Sequence, residues 1–288
     1  MKITKVEALQ KIANRIRMDI ITEIYYGKSG HPGGSLSIAD ILAVLYFNEM
    51  NINPKMPEDN SRDRLVLSKG HASSALYAAL AEKGYISKDE LLTFRNINSN
   101  LQGHPDMNKV KGVDMTTGSL GQGLSVANGM ALNSKMDSMG YRVYCILGDG
   151  ELDEGQIWEA AMTSSKYNLD NLCVIVDSNG LQLTGETDEV KGINSEDVEQ
   201  KFRSFGFNTI TINGNDIFSI INAFGVAHMT KGKPTAIIAK TIKGKGISFM
   251  ENNVAWHGKA LNDEEYKLAI EELMAKEKEI DREMEGDN

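Results

Sequence analysis

The segment from Val143 to Leu181 constrains this chain most: an apolar strand, a glycine turn, a helix, a second apolar strand and a polar turn. The first strand, Val143-Tyr-Cys-Ile-Leu147, runs into Gly148-Asp-Gly150, and the second, Leu172-Cys-Val-Ile-Val-Asp177, runs into Ser178-Asn-Gly-Leu181. Short apolar runs bounded by turn residues are the pattern of parallel strands buried on both faces. Two such strands joined through a helix put both polar turns on one edge of a sheet, where ligands of α/β folds bind. That edge gathers the Asp149 carboxylate, the Asn179 amide oxygen and several glycines. An all-oxygen set with so few protein donors suits Mg²⁺, which completes an octahedron with water and phosphate oxygens. Taken singly, Asp149 reads as a strand-end aspartate and Asn179 as a turn asparagine.

Around this unit the hydrophobic period alternates between helix and strand. Val6, Leu9, Ala13, Ile16, Ile20 and Ile24 recur at helical spacing, which predicts a one-faced helix over 4–26. Gly27-Lys-Ser-Gly30 ends it, His31-Pro-Gly-Gly34 reads as a polar loop, and Ser37 is expected to cap a second helix reaching about Asn48. Arg64 to Ser68 reads as a short buried strand ending at Gly70-His71, and a helix of small residues follows from Ala72 to Lys83. Residues 96–118 are irregular, and Gly118-Ser-Leu-Gly-Gln-Gly123 leads into a Gly/Ala-rich helix through about Met136. Strands over 207–212 and 234–241, with helices near 195–204 and 215–228, complete a doubly wound, mostly parallel α/β sheet flanked by helices. Asn262 followed by three acids predicts the start of a C-terminal helix over 262–283. No composition shift marks a linker, so residues 1–288 are expected to form a single domain.

Charge excludes some partners. Of the net −9, residues 263–288 supply −7, from eleven acids against four bases, which leaves about −2 for the rest. A nearly neutral body with an acidic helix has no electrostatic footprint for nucleic acid or an anionic membrane. The chain has no apolar run long enough to span a bilayer. Cys145 and Cys173 both fall in apolar strands and read as core residues rather than a disulfide. With no secretory pattern at the N-terminus, a cytoplasmic protein is expected.

Four of the five histidines adjoin glycine, as Gly30-His31, Gly70-His71, Gly103-His104 and His257-Gly258. Glycine permits tight turns and leaves an imidazole open to a ligand. Such imidazoles suit hydroxyl recognition and proton transfer on a polyol. His228, at a helix end, reads as structural. Lys243-Gly-Lys-Gly246 resembles a phosphate-binding loop but lacks the P-loop ending, and a lysine there could meet a diphosphate as a point charge.

Seven blocks occur in one order: Ser29-Gly-His-Pro32, Asp63-Arg-Leu-Val-Leu-Ser-Lys-Gly-His71, Gly103-His-Pro105, Thr117-Gly-Ser-Leu-Gly-Gln-Gly123, Gly148-Asp-Gly150, Asp177-Ser-Asn179, and Lys240-Thr-Ile-Lys-Gly-Lys-Gly246 with Trp256-His-Gly258. Twenty-eight residues lie between Gly150 and Asn179, as in the thiamine-diphosphate motif. Together the blocks resemble the diphosphate-binding first half of transketolase over roughly residues 5–275. The resemblance implies a thiamine-diphosphate-binding fold, the cofactors thiamine diphosphate and Mg²⁺ (with Ca²⁺ or Mn²⁺ able to substitute), and two-carbon ketol transfer between sugar phosphates of the pentose phosphate pathway. It implies that Asp149, Asn179 and the Leu181 carbonyl bind the metal. Gly150, Asn179, His71, Lys243 and His257 would surround the diphosphate, and the Gly118-Ser119-Leu120 turn would pass beside the thiamine. His31, His71, His104 and His257 would line the sugar channel, with His31 and His257 relaying protons. Glu154 and Glu159 match acidic positions near the family's subunit contact, and Glu154 is also taken as a cofactor contact. Gly34 stands where some relatives carry serine.

The family's pyrimidine-binding domain has no counterpart in this sequence, and with it go the activating glutamate and the phosphate-holding arginines and serine. The resemblance therefore implies a split transketolase in which this N-terminal subunit needs a C-terminal, pyrimidine-binding subunit, most simply as an α₂β₂ assembly. The Gly/Ala-rich helix over 119–136 is the expected contact. Other readings are a thiamine-dependent ketol transferase acting on a modified sugar, a 1-deoxyxylulose-phosphate-synthase-like enzyme, or a non-catalytic cofactor-binding partner.

Overall fold

The computed structural model describes residues 2–3, 5–182, 185–192 and 194–286. Its strands are β1 (Arg64–Leu67), β2 (Val143–Gly148), β3 (Leu172–Ser178), the two-residue pair β4 (Leu181–Gln182) and β5 (Gly185–Glu186), β6 (Asn208–Asn213) and β7 (Thr235–Lys240). Five of them form one wholly parallel sheet in the order β1-β2-β3-β7-β6, while β4 and β5 pair antiparallel beside it. The expected mostly parallel α/β architecture is what forms. Gly148 lies opposite Asp177, so the turns after β2 and β3 leave the sheet side by side.

Successive side chains of each central strand feed opposite layers, as a pleated strand requires. Tyr144, Ile146, Cys173 and Ile175 join one core, while Val143, Cys145, Leu147 and Val174 join the other. The two cysteines are thus buried free thiols in different layers, as expected of core residues.

The first layer holds α1 (Val6–Gly27), α2 (Pro32–Leu36), α3 (Ala39–Val44, widening into a π turn at Leu45–Glu49), α4 (Ser73–Lys83) and the single turn α5 (Lys88–Leu91). On α1, Leu9, Ala13, Ile16, Ile20 and Ile24 are fully buried, and the larger of them are each worth about 1.5–3 kcal/mol. The second layer holds α6 (Gly123–Met136), α7 (Gly155–Lys166) and α9 (Ser195–Ser204), while α8 (Thr187–Lys191) packs beside β5. The helix α10 (Ile217–Met229) returns to the first layer, and α11 (Asp263–Gly286) packs along α1. Asn262 caps α11 as expected: its Oδ1 accepts from Glu265 N at 2.8 Å, and Glu265 Oε2 accepts from Asn262 N at 2.9 Å. Among the described residues no helix is long and apolar enough to cross a membrane.

The expected start of the second helix is wrong. A short helix already begins at Pro32, Ser37 closes it as its C-cap with its N–H donating to the Gly33 carbonyl, and the next helix starts at Ala39 with Ile38 rather than Ser37 at its N-cap. Proline at the first helical position is already set for helical φ, which outweighs the poor propensity of Gly33 and Gly34. Ser37 is fully buried, and its hydroxyl donates to Asp177 Oδ2 at 2.7 Å. His228 is structural, with Nε2 2.5 Å from Glu49 Oε1, an oxygen that also accepts from Tyr144 Oη at 2.6 Å.

Candidate active site

Four neighbouring strand tips, those of β1, β2, β3 and β7, bring distant residues to one edge of the sheet. Asp177, at the end of β3, is completely buried. Its carboxylate accepts from Lys69 Nζ at 2.6 Å, Ser37 Oγ at 2.7 Å, Asn179 Nδ2 at 2.9 Å and the Thr241 hydroxyl. Burial alone would raise this acid, but the Lys69 ammonium and the Thr241 and Ser37 hydroxyls hold it below the usual carboxylate range. Lys69 also donates to the Gly34 carbonyl at 2.6 Å, which ties β1 to α2.

This buried anion orients Asn179. An ionised carboxylate only accepts, so the amide must turn its NH₂ toward Asp177. Its Oδ1 then accepts from Leu181 N at 3.1 Å and keeps a lone pair free. On the neighbouring tip, Asp149 Oδ1 accepts from Gly150 N at 2.8 Å and Oδ2 accepts from Gly180 N at 2.7 Å. Gly180 has φ of 74°, a left-handed turn that glycine adopts without strain. Burial, then the charge of Asp177, raises the Asp149 carboxyl to about 6. The third expected metal donor, the Leu181 carbonyl, accepts from Lys243 Nζ at 2.8 Å, so a cation already sits on that oxygen. Among the described residues no three His, Cys, Asp or Glu side chains cluster as metal ligands. One carboxylate, one amide oxygen and one carbonyl form a hard, incomplete donor set that fits Mg²⁺ sharing its remaining sites with phosphate and water.

These groups open onto a cavity of about 470 Å³. Its wall includes Asp149, Gly150, Asn179 and Leu181, the imidazoles of His31, His71, His104 and His257, and Gly118, Leu120 and Lys243. The rings of His31, His71 and His257 lie close together, with centroids 5.1 Å (31–71), 5.7 Å (31–257) and 5.6 Å (71–257) apart. His257 Nδ1 lies 2.8 Å from Lys243 Nζ, which makes Nδ1 the acceptor and leaves the imidazole proton on Nε2. Burial first, then the Lys243 ammonium, lowers His257 to about 4, and burial lowers Lys243 itself to about 8. His71 is lowered by burial and by the Lys69 charge. The imidazoles are therefore neutral at pH 7, and His257, with Nδ1 taken by Lys243, offers its Nε2 proton to a hydroxylated ligand.

Close packing holds the loops around this cavity. A Cβ on Gly70 would fall 2.7 Å from Thr117 Oγ1, and one on Gly123 would overlap the Ser68 side chain. The Thr117–Gly123 segment thus wraps the tip of β1, and the His104 ring packs on Gly118, whose added Cβ would lie 3.3 Å from it.

Two expected site residues lie elsewhere. Ser119 is exposed and absent from the cavity wall, although its neighbours Gly118 and Leu120 line it. Glu154 is exposed behind the same turn, where a Cβ on Gly121 would meet its own Cβ at 2.6 Å. Glu159 is exposed on α7. The buried acid beneath the turn is instead Glu151, which accepts from the Ser68 hydroxyl, from Gly121 N at 2.9 Å and from Gly148 N at 3.0 Å. Glu151, Asp177, Lys69 and Ser37 escape the sequence reading because each is defined by partners far away along the chain. For Lys69 and Asp177 the local signal is their place inside the Ser-Lys-Gly-His and Asp-Ser-Asn blocks.

The family model for the transketolase thiamine diphosphate binding domain matches residues 8–282. This chain belongs to the transketolase family. It is 48% identical over 265 residues to the 6-deoxy-6-sulfo-D-fructose transketolase subunit of a Clostridium species, covering 92% of this chain and 96% of that protein. It is 40% identical to an apulose-4-phosphate transketolase subunit of Phocaeicola vulgatus, covering 98% of this chain and 99% of that one. Human transketolase is 45% identical over 93% of this chain, which spans 42% of the human protein. The crystal structure of transketolase from Campylobacter jejuni superposes with a TM-score of 0.88 at 36% identity, covering 94% of this chain and 43% of that one. The expectation of a thiamine-diphosphate-dependent transketolase half-enzyme of the N-terminal kind holds.

Proposed function

We propose that this chain is the diphosphate- and metal-holding subunit of a two-chain transketolase and transfers a two-carbon ketol unit only when a pyrimidine-binding subunit completes the site. The observation that carries this reading is the convergence of Asp149, Asn179 and Leu181 on one cavity with Lys243 and three packed imidazoles. Thiamine diphosphate, when bound, supplies the carbon nucleophile that attacks the ketose carbonyl. Asp149, Asn179 and the Leu181 carbonyl hold the dication, and Lys243, His71 and His257 face the diphosphate. Gly118 leaves room for the ring, and Leu120 gives it an apolar wall. His31 and His257 bind the sugar oxygens and move protons to and from them, while His104 fixes a further hydroxyl.

The body formed by residues 1–288 acts as one domain in the cytoplasm. Its partner is a C-terminal transketolase subunit, and two copies of each build an α₂β₂ assembly. The outer face of α6, where Gly129 has open space around its backbone, is the proposed contact. Mixing the two subunits should generate activity from components that are silent alone, and full turnover by this chain by itself would remove the reading.

A modified-sugar substrate is the second reading, and the two subunit relatives favour it, because one is named for a sulfonated fructose and the other for apulose 4-phosphate. The assembled complex should be assayed with both classes of donor. A higher kcat/KM on an ordinary ketose phosphate decides against the modified sugar.

A further inference from the structure

We propose that Arg95 is a positioning residue that ties the loop carrying His31 to the loop carrying His104 and sets a fixed positive charge against both rings. Its Nη1 donates to Ser29 Oγ at 2.6 Å, two residues before His31. Its guanidinium also lies against Gly103, the residue before His104, where an added Cβ would overlap Nη2. The Arg95 backbone is left-handed, with φ of 60°, which is unfavourable for a residue with a Cβ and is pinned here by donation from Arg95 N to Leu101 O at 2.8 Å.

Among the described residues no carboxylate neutralises this guanidinium. The buried arginine Arg17 pairs with Asp40 at 2.5 Å, and Arg62 pairs with Asp114 at 2.6 Å. Arg95 makes no such ion pair among the described residues, and its Nε is buried without a hydrogen-bond partner. This half-buried charge lies against the residue before His104, whose ring lines the cavity.

His31 needs such a tie. Its Nδ1 is buried with no hydrogen-bond partner, so the ring is placed by its loop and its neighbours rather than by a bond of its own. Burial first, then the charge of Arg95, lowers His31 to about 4, and the same two causes lower His104. The other groups facing these rings are His71, His257 and Lys243 around His31, and the Tyr77 hydroxyl, which donates to the His104 carbonyl. The inference rests on the proposed sugar-channel role of His31 and His104, whereas the titration below reads the charge of Arg95 whether or not that role holds.

Arg95→Met, Arg95→Lys and Ser29→Ala are compared in the full chain by NMR titration of the histidine rings and in the assembled complex by the pH profile of kcat/KM. Arg95→Met should move the His31 and His104 midpoints upward. It should also lower kcat/KM more at the acid end of the profile, below pH 6, than at pH 8. Arg95→Lys should keep the wild-type midpoints but raise KM, because an ammonium lacks the fork that spans both loops. Ser29→Ala, which retains the charge and serves if Arg95→Met does not fold, should raise KM with unmoved midpoints. Unmoved midpoints in Arg95→Met, or a fall in kcat/KM that is equal at every pH, overturn the charge role. A wild-type KM in Ser29→Ala overturns the tie.

Discussion

The Asn179 amide donates to the Asp177 carboxylate at 2.9 Å, and that bond fixes which edge of the amide the cavity meets. Asp177→Asn keeps the shape but strands the Lys69 ammonium in the interior. Leaving one partner of a buried pair uncompensated costs about 3–5 kcal/mol. Thermal melting should show a large loss, and titration with thiamine diphosphate and Mg²⁺ should show weakened binding in whatever protein remains folded. Unchanged cofactor affinity would mean that Asn179 needs no orienting partner.

Asp149→Ala removes the only carboxylate of the proposed metal set while sparing the buried network behind it. Calorimetric titration of the assembled complex should then detect no Mg²⁺-dependent binding of thiamine diphosphate. Wild-type affinity would end the metal assignment.

His257→Ala removes an imidazole whose Nδ1 is fixed by Lys243. Loss of a proton-relaying group typically lowers turnover by about 10²–10⁴-fold. Steady-state kinetics should place the loss mainly in kcat, with a melting temperature near wild type. Undiminished kcat would return His257 to a packing role.

Glu23, outside the cavity wall, carries a pH prediction of its own. This residue of α1 is fully buried, and neither carboxyl oxygen has a hydrogen-bond partner. Burial, reinforced by Asp19, holds its carboxyl well above the ordinary value of 4.5. An acid whose folded pKa is raised favours folding while protonated, and that stability is lost as pH climbs above the unfolded value. Glu23→Gln should therefore melt higher than wild type at pH 8, by about 1–3 kcal/mol, with the gap closing toward pH 5. Differential scanning calorimetry across that range checks it, and a constant gap would refute the assignment.

Gly34 tolerates what Gly123 does not. A Cβ at Gly34 would sit 3.6 Å from Lys69 Nζ and 3.8 Å from His71 Nε2, which is ordinary contact, whereas one at Gly123 would collide with Ser68. Gly34→Ser should fold normally and alter KM for hydroxylated donors, while Gly123→Ala should lower the melting temperature. The reverse ranking in a melting assay contradicts the packing described here.

The sheet is legible in the sequence because its central strands are apolar runs closed by turn residues, and each strand carries that signal within a few residues. The motif residues of the cavity are legible for the same reason, since a strand tip is named by the strand before it. Ser37, Glu151 and Arg95 are not. Their roles depend on Asp177, Gly121 and Ser29, residues brought near by the fold, and nothing local separates a buried hydroxyl donor from a helix cap. Ser119 and Glu154 are misplaced by a finer effect. The turn at Gly121, with φ of 84°, sends one side of the Gly118–Gly123 segment to the cavity and the other to solvent. A one-dimensional motif does not record which side a residue takes.

Because the cavity is assembled from strand tips and loops spanning positions 31 to 257, it exists only after β1, β2, β3 and β7 have paired. Occupancy and global folding are then a single linked equilibrium, in which a ligand at a hundred times its Kd adds about 2.7 kcal/mol to stability. Temperature-sensitive lesions far from the cavity should consequently be masked by abundant vitamin and exposed by its scarcity.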